Sequence, residues 1–179
     1  WKLDFGGATA TGCTAVRPNA VFSEETGLGF EEGSAVTTVT GGGTDRLRDG
    51  GVTMNKPFLF SVAVPEGVYR VTLVVGDGRG TSVTTVKAEA RRLMLQKVAT
   101  AKGQFETCAF NVAVKRPELK GGGKVSLKDP ELDHHRDWDT RLTLEFSNTR
   151  PCLCAMEIAP AQNYTTIYIA GDSTVTNQK

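Results

Sequence analysis

The sequence lacks a long apolar run, a surplus of charge and a dense set of cysteines or aromatic rings, and each shortage excludes something. Its strictly apolar stretches are a handful of residues long, as in Leu73-Val74-Val75, against the roughly 20 that a membrane-crossing helix needs. Lys and Arg number 21 against 20 Asp and Glu, so no basic field exists to draw in phosphate backbones or anionic lipid. Neither nucleic acid nor a membrane span is expected. The four cysteines, Cys13, Cys108, Cys152 and Cys154, are too sparse for a disulfide-built miniprotein and lack the Cys-x-x-Cys knuckles of a structural zinc site. Buried free thiols and one or two disulfides of an oxidising compartment both stay open for them; strand periodicity would turn Cys152 and Cys154 to one face. Aromatic residues make up only 7% of the chain, which leaves few rings for stacking on sugars. The chain opens on Trp1 with neither an initiator Met nor an apolar secretory segment, and the expectation is that something upstream has been removed.

What is present is a strand pattern. The 179 residues, 39% hydrophobic, suit one ordinary domain. Phe58, Phe60, Val62 and Val64 alternate on one face, Pro65-Glu66-Gly67 breaks the run, and Val68 to Val75 follows as a second strand in a hairpin-like unit. Val83 to Leu95 alternates again; the good helix formers between Lys87 and Gln96 offer a helix instead, and the strand-rich neighbours favour β. Further strands are expected at Val36 to Val39, Phe105 to Val114, a short Val125 to Leu127, the alternating Leu142, Leu144 and Phe146, and Cys152 to Ile158. Short strands at such intervals, with almost no amphipathic helix, indicate a two-sheet β-sandwich around one core. Gly41-Gly42-Gly43 is a loop, because no Walker-type Lys-Ser or Lys-Thr follows it.

Two regions carry candidate chemistry within or just after that sandwich. Asp129, Glu131, Asp133, Asp137 and Asp139, with His134 and His135, offer oxygen and nitrogen ligands, and Glu24, Glu25, Glu31 and Glu32 form a second acidic cluster. A solvated loop is favoured over calcium, since the spacing fits no EF-hand and adjacent histidines on an extended segment point apart. Trp1, Phe30, Tyr69 and Trp138 are nominal sugar-stacking rings; Trp138 is the best placed of them because its charged neighbours suit a rim position, although a structural tryptophan is the plainer reading. After Pro160-Ala161-Gln162-Asn163, a linker, Thr165 to Ala170 is expected to form a new strand ending in Gly171-Asp172-Ser173. That arrangement sets a hydroxyl at a strand end near a helix N-terminus, whose free N–H groups can stabilise an oxyanion.

The segment from Ile167 to Val175, with its Gly171-Asp172-Ser173-Thr174-Val175, resembles the first block of SGNH (GDSL-like) hydrolases in the form of the rhamnogalacturonan acetylesterase branch. Leu3-Asp4-Phe5-Gly6 and the stretch from Phe22 to Glu31 are similar to the opening of the β-sandwich that precedes the esterase domain in bacterial members, a sandwich that resembles galactose-binding jelly rolls. The resemblance implies an all-β, galactose-binding-like jelly roll over residues 1–160 and the first strand of a truncated SGNH α/β domain over residues 164–179. It implies Ser173 as nucleophile with its backbone N–H in the oxyanion hole, and Asp172 as the neighbour that shapes the nucleophile turn. The family's later Gly, Asn and Asp-x-x-His blocks cannot fit in the six residues after Ser173. A serine without its base does not turn over, so the fragment alone is expected to be inactive, with the base beyond Lys179.

The implied parent is a secreted or periplasmic esterase that removes O-acetyl groups from pectic polysaccharide. It would need no cofactor for hydrolysis, is compatible with a structural calcium, and would have its own C-terminal catalytic domain as partner. The alternative is a noncatalytic carbohydrate-binding or purely structural sandwich.

Overall fold

The computed structural model describes residues 1–7, 9–41, 45–125, 136–167 and 171. The strands run β1 Lys2–Asp4, β2 Thr14–Ala15, β3 Leu28–Phe30, β4 Thr37–Thr40, β5 Gly50–Thr53, β6 Phe58–Ala63, β7 Gly67–Asp77, β8 Ser82–Ala88, β9 Arg92–Thr100, β10 Gln104–Val114, β11 Arg141–Ser147, β12 Cys152–Leu153 and β13 Ala155–Pro160. A single 3₁₀ turn, Arg46–Arg48, is the only helical element longer than one residue among the described residues; the Asp45 side chain caps it by accepting the Leu47 N–H. Two five-stranded sheets, ordered β10-β7-β13-β1-β2 and β3-β6-β11-β8-β9, enclose the core, and a small sheet β12-β5-β4 adjoins them. This is the two-sheet β-sandwich that the alternation predicted, in the jelly-roll form that the resemblance implied.

Period-two patterning decides which residues fill the core. Phe58, Phe60 and Val62 of β6 meet Leu142, Leu144 and Phe146 of β11, while Leu73 and Val71 of β7 oppose them from the other sheet. Phe60 packs edge-on to Phe5 and Phe30 at 5.1 Å each, and Phe58 stacks on Phe146 at 4.9 Å. Phe30 is 2% exposed and Tyr69 is 9% exposed. Both are therefore core residues and not sugar platforms; the Tyr69 hydroxyl is itself taken up by donation to the Pro65 carbonyl. The two ends of the sandwich meet where β1 pairs antiparallel with β13 and the Trp1 ammonium donates to the Ile158 carbonyl at 2.8 Å.

Three expectations need correction. β6 and β7 are not a hairpin: Pro65 and Glu66 carry the chain from one sheet to the other, and β6 pairs with β3 and β11 while β7 pairs with β10 and β13. Val83 to Leu95 is neither one strand nor a helix. It is the β8–β9 hairpin, turned at Glu89, whose φ of 57° is left-handed. Cys152 to Ile158 breaks at Cys154 into β12 and β13, which join different sheets. All four cysteines are free thiols, Cys152 and Cys154 buried and the other two half-buried. Thr165–Ile167 have no strand partner among the described residues, and Tyr168–Ala170 and Leu127 lie outside them.

Candidate functional site

The register of the first sheet defines an outward face on which small side chains stand beside charged ones. Its inward rows hold Met156, Leu73, Ile158, Val71 and Tyr69, so alternation turns the intervening residues outward. One outward row across β1, β13, β7 and β10 is Asp4, Ala155, Val74 and Thr107; the next is Lys2, Glu157, Thr72 and Ala109. Ala159, Arg70 and Asn111 form the third, and Val68 opposite Ala113 the fourth. From Val74 to Val68 the face runs about 20 Å, the length of an oligosaccharide.

A depression lies at each end of this face with exposed rows between them, and the whole is termed the trough. At one end the 3₁₀ turn lies over it, where Leu47 and Phe105 pack on Val74, Cys154 and Ala155. Buried Asp4 holds the adjoining loop, accepting the Gly6 N–H at 2.8 Å and the Ala10 N–H at 2.7 Å. The resulting cavity of about 380 Å³ is lined by Lys2, Cys13, Arg48, Thr72, Thr107 and Glu157 among others. Arg48 is fixed there by its ion pair with Asp45 and a 3.2 Å hydrogen bond to the Thr107 hydroxyl. At the other end the segment Tyr164–Ile167 forms a wall of a cleft of about 730 Å³, whose lining includes Glu66, Arg92, Asn111, Ala113 and Lys115. Tyr164 is 46% exposed and supplies a ring to that cleft. In the middle rows Ala and Thr alternate with Lys2, Glu157, Arg70 and Asn111, so a chain of hydroxylated rings can lie along the face with these polar groups replacing water.

A second polar cluster lies on the outward side of the other sheet and is closed by its own partners. Glu31 accepts from the Ser61 hydroxyl at 2.5 Å and pairs with Arg141 at 3.1 Å, and Ser61 also bonds the Thr143 hydroxyl. Asp139 accepts twice from Arg141, at 3.0 Å each, and burial pushes its pKa up. Asp137 accepts the Ala90 N–H at 3.1 Å and pairs loosely with Arg92. Glu89, 1% exposed, accepts the Thr143 N–H at 3.2 Å, and its Oε2 has no hydrogen-bond partner. Burial, the dominant influence, pushes its pKa up to about 8. Arg141 completes the cluster by lying 4.7 Å from the ring centre of Phe22.

The visible acids of the two clusters are engaged by neighbours or exposed. Asp137, Asp139 and Glu31 are committed to arginines and backbone donors, and Glu24, Glu25 and Glu32 are exposed. Among the described residues no group of three or more His, Cys, Asp or Glu side chains is placed to hold a metal ion. Asp129, Glu131, Asp133, His134 and His135 lie outside the described residues, as do Asp172 and Ser173. Trp138 is half-buried and lines neither the cavity nor the cleft. Trp1 is 45% exposed but likewise stands apart from both, its indole N–H directed to the Ala63 carbonyl. Sequence reasoning missed Arg70, Asn111 and Tyr164. The first two were legible only as outward positions of strands, and the third as an aromatic ring just past the expected linker.

No functionally curated protein matches this chain. Among solved structures, the YXIM protein of Bacillus subtilis superposes with a TM-score of 0.62 at 22% identity, over 90% of this chain and 40% of that one. This chain thus spans about two-fifths of that relative. A CBM35 from Paenibacillus barcinonensis is more distant, with a TM-score of 0.40 at 14% identity over 78% of this chain and 98% of its own. A family 35 carbohydrate binding module from Clostridium thermocellum gives 0.38 at 7% identity, over 75% and 98%. A family profile described as beta-agarase/YXIM esterase-like, galactose-binding domain-like matches residues 1–119, about two-thirds of the sequence. That match covers more than half of the chain, and the chain belongs to the beta-agarase/YXIM esterase-like family of galactose-binding-like domains.

Proposed function

We propose that this sandwich is a noncatalytic carbohydrate-binding domain that holds a polysaccharide in the trough on its β10-β7-β13-β1 face. The observation that carries the reading is that face itself: outward rows in which Ala, Thr and Val stand beside Lys2, Glu157, Arg70 and Asn111, with a cleft lined by Tyr164 at one end. Small side chains let sugar rings approach the backbone plane, one exposed ring can stack on a pyranose, and the polar groups replace its hydration. Membership of a family described as galactose-binding-like and esterase-like supports a glycan as the ligand.

Affinity electrophoresis of the whole chain through gels containing galactan or rhamnogalacturonan tests this. Retardation is expected, and it should disappear in Ala109→Trp, which fills an exposed position of the trough. Failure to bind any polysaccharide, or binding untouched by Ala109→Trp in a variant of unchanged Tm, would overturn the reading. Within a longer protein, we take Ser173 as the nucleophile of a secreted or periplasmic carbohydrate acetylesterase acting on acetylated pectin, with Asp172 shaping its turn. The sandwich would then hold substrate for that reaction. Full-length protein carrying Ser173→Ala should release no acetate, and retained release would refute the assignment.

A further inference from the structure

The depression beside the 3₁₀ turn is closed where a long glycan would have to pass. Its floor is made by the first two outward rows, with Ala155 and Val74 in one and Glu157 and Thr72 in the next. Over the first row the turn Arg46–Arg48 stands as an end wall. Leu47 packs on Val74, Cys154 and Ala155, and Asp45 caps the turn by accepting the Leu47 N–H at 3.0 Å. Arg48 ties this wall to the sheet, pairing with Asp45 on one side and donating to the Thr107 hydroxyl of β10 at 3.2 Å on the other. Ala10, Thr11 and Cys13 form a side wall. Asp4, 1% exposed, holds that wall, its two carboxylate oxygens accepting from the Gly6 and Ala10 N–H groups. Neither wall moves aside without breaking hydrogen bonds, one of them to a buried carboxylate. The open side is the one beyond Thr72, where the next row, Arg70 and Asn111, is exposed.

We infer that this depression receives the terminal ring of a glycan, so that the trough binds chain ends and not chain interiors. This rests on the carbohydrate-binding reading above. A volume of about 380 Å³ lies at the small end of the roughly 300–1,000 Å³ of sites that enclose a small molecule. A pyranose presents C–H groups on its faces and hydroxyls around its edge. Leu47, Val74 and Ala155 supply apolar surface for the first. For the second, the Thr107 hydroxyl accepts from Arg48 and keeps its own proton to donate, and Arg48 has further N–H donors beyond those used on Asp45 and Thr107. The Thr72 hydroxyl, half-buried in the floor, makes no hydrogen bond to any described residue. An interior residue of a polysaccharide is linked on two sides, and the turn blocks one of them. A terminal residue is linked on one side only, and its chain can run out over Ala109 and Asn111.

Calorimetric titration of the whole chain with oligosaccharides of graded length, cut from galactan and from rhamnogalacturonan, tests the inference. Each oligosaccharide should take up one protein however long it is. A number of bound proteins that grows with length would overturn the inference while leaving the trough reading intact. Reducing one terminal ring to an open alditol, or methylating the hydroxyls of the ring at the other terminus, distinguishes the two ends. One of these changes should weaken binding at least about tenfold, and indifference to both would overturn the inference. The Cys13 thiol reports occupancy, because it is half-buried in the side wall, whereas Cys108, also half-buried, lines neither depression. With glycan at about ten times its Kd, thiol labelling of Cys13 should slow about tenfold and that of Cys108 should stay as it is. Bound glycan that leaves Cys13 reacting at its free rate would overturn the inference. Thr72→Trp, which fills the depression from its floor, should abolish binding. Thr72→Val, of nearly the same shape, should keep the parent Tm and weaken binding by about 3- to 10-fold. Both variants binding as the parent does would count against the site, and failure of every glycan to bind would instead strike the reading beneath it.

Discussion

Replacing Glu89 with Gln tests whether one buried carboxyl lowers stability as pH rises. The side chain is 1% exposed, one oxygen accepts the Thr143 N–H, and the other has no partner. Burial raises its pKa from 4.5 to about 8, opposed by the Thr143 bond and Arg92 and assisted by Asp139 and Asp137. Between those two pH values the folded protein holds a proton that the unfolded chain has released. The contribution to stability is therefore fully present below the unfolded pKa, declines through the window and levels off above about pH 8. At about 1.4 kcal/mol for each pH unit crossed, the upper bound is about 5 kcal/mol. Relaxation and water entry around the ionised group bring the effective loss to about 2–3 kcal/mol.

Gln is neutral at every pH and keeps an oxygen for the Thr143 N–H, so the variant should lack this decline. Urea midpoints of both proteins between about pH 5 and pH 9, with unchanged m values, give the comparison. Subtracting one curve from the other removes what Asp139 contributes, since its pKa is raised by burial in both. The variant should gain about 2–3 kcal/mol on the parent across the range. A difference that stays flat, or one in which the variant loses ground at high pH, would refute the reasoning.

Arg150→Ala should destabilise by about 3–5 kcal/mol in urea, because it leaves the Asp77 carboxylate, 2% exposed, without its ion-pair partner. Adding Asp77→Asn should recover part of that loss, and a double variant no better than the single one would show that charge is not the cause. Phe60→Ala, which empties a fully buried site between Phe5 and Phe30, should lower stability by about 3–5 kcal/mol by the same measurement. A thiol reagent on the native protein should label half-buried Cys13 and Cys108 first. Cys152 and Cys154, buried and with their thiol pKa values pushed up by that burial, should react only on unfolding.

The fold was legible because its core depends on local alternation. Phe58, Phe60 and Val62, or Leu142, Leu144 and Phe146, mark a buried face without reference to anything distant. What alternation cannot show is which strand lies beside which. Pro65-Glu66-Gly67 reads like a hairpin turn, yet it crosses between sheets. Glu89 reads like one more polar residue on the outward face of a continuing strand. In the fold it is a left-handed turn residue under the sandwich's most buried acid network, because Thr143 of a strand far along the chain offers its backbone to both the Glu89 carboxylate and the Glu89 N–H.

The trough was illegible for the same reason, carried one step further. Its second row brings together Lys2, Glu157, Thr72 and Ala109, which no window of sequence contains at once. A search led by aromatic rings turns to Phe30 and Tyr69, but a chain this poor in rings buries both of them, with Phe5, Phe58, Phe60 and Phe146, to fill its core. The face left for a ligand is then defined by what is small, and a run such as Thr107 to Ala113 carries no motif that distinguishes a binding surface from an idle one. Only after the register is fixed do Arg70 and Asn111 fall side by side in its third row. The information that marks this site is therefore a pairing pattern, a property of the assembled sheet, which is why a substitution at Ala109 tests it more directly than any at the tryptophans.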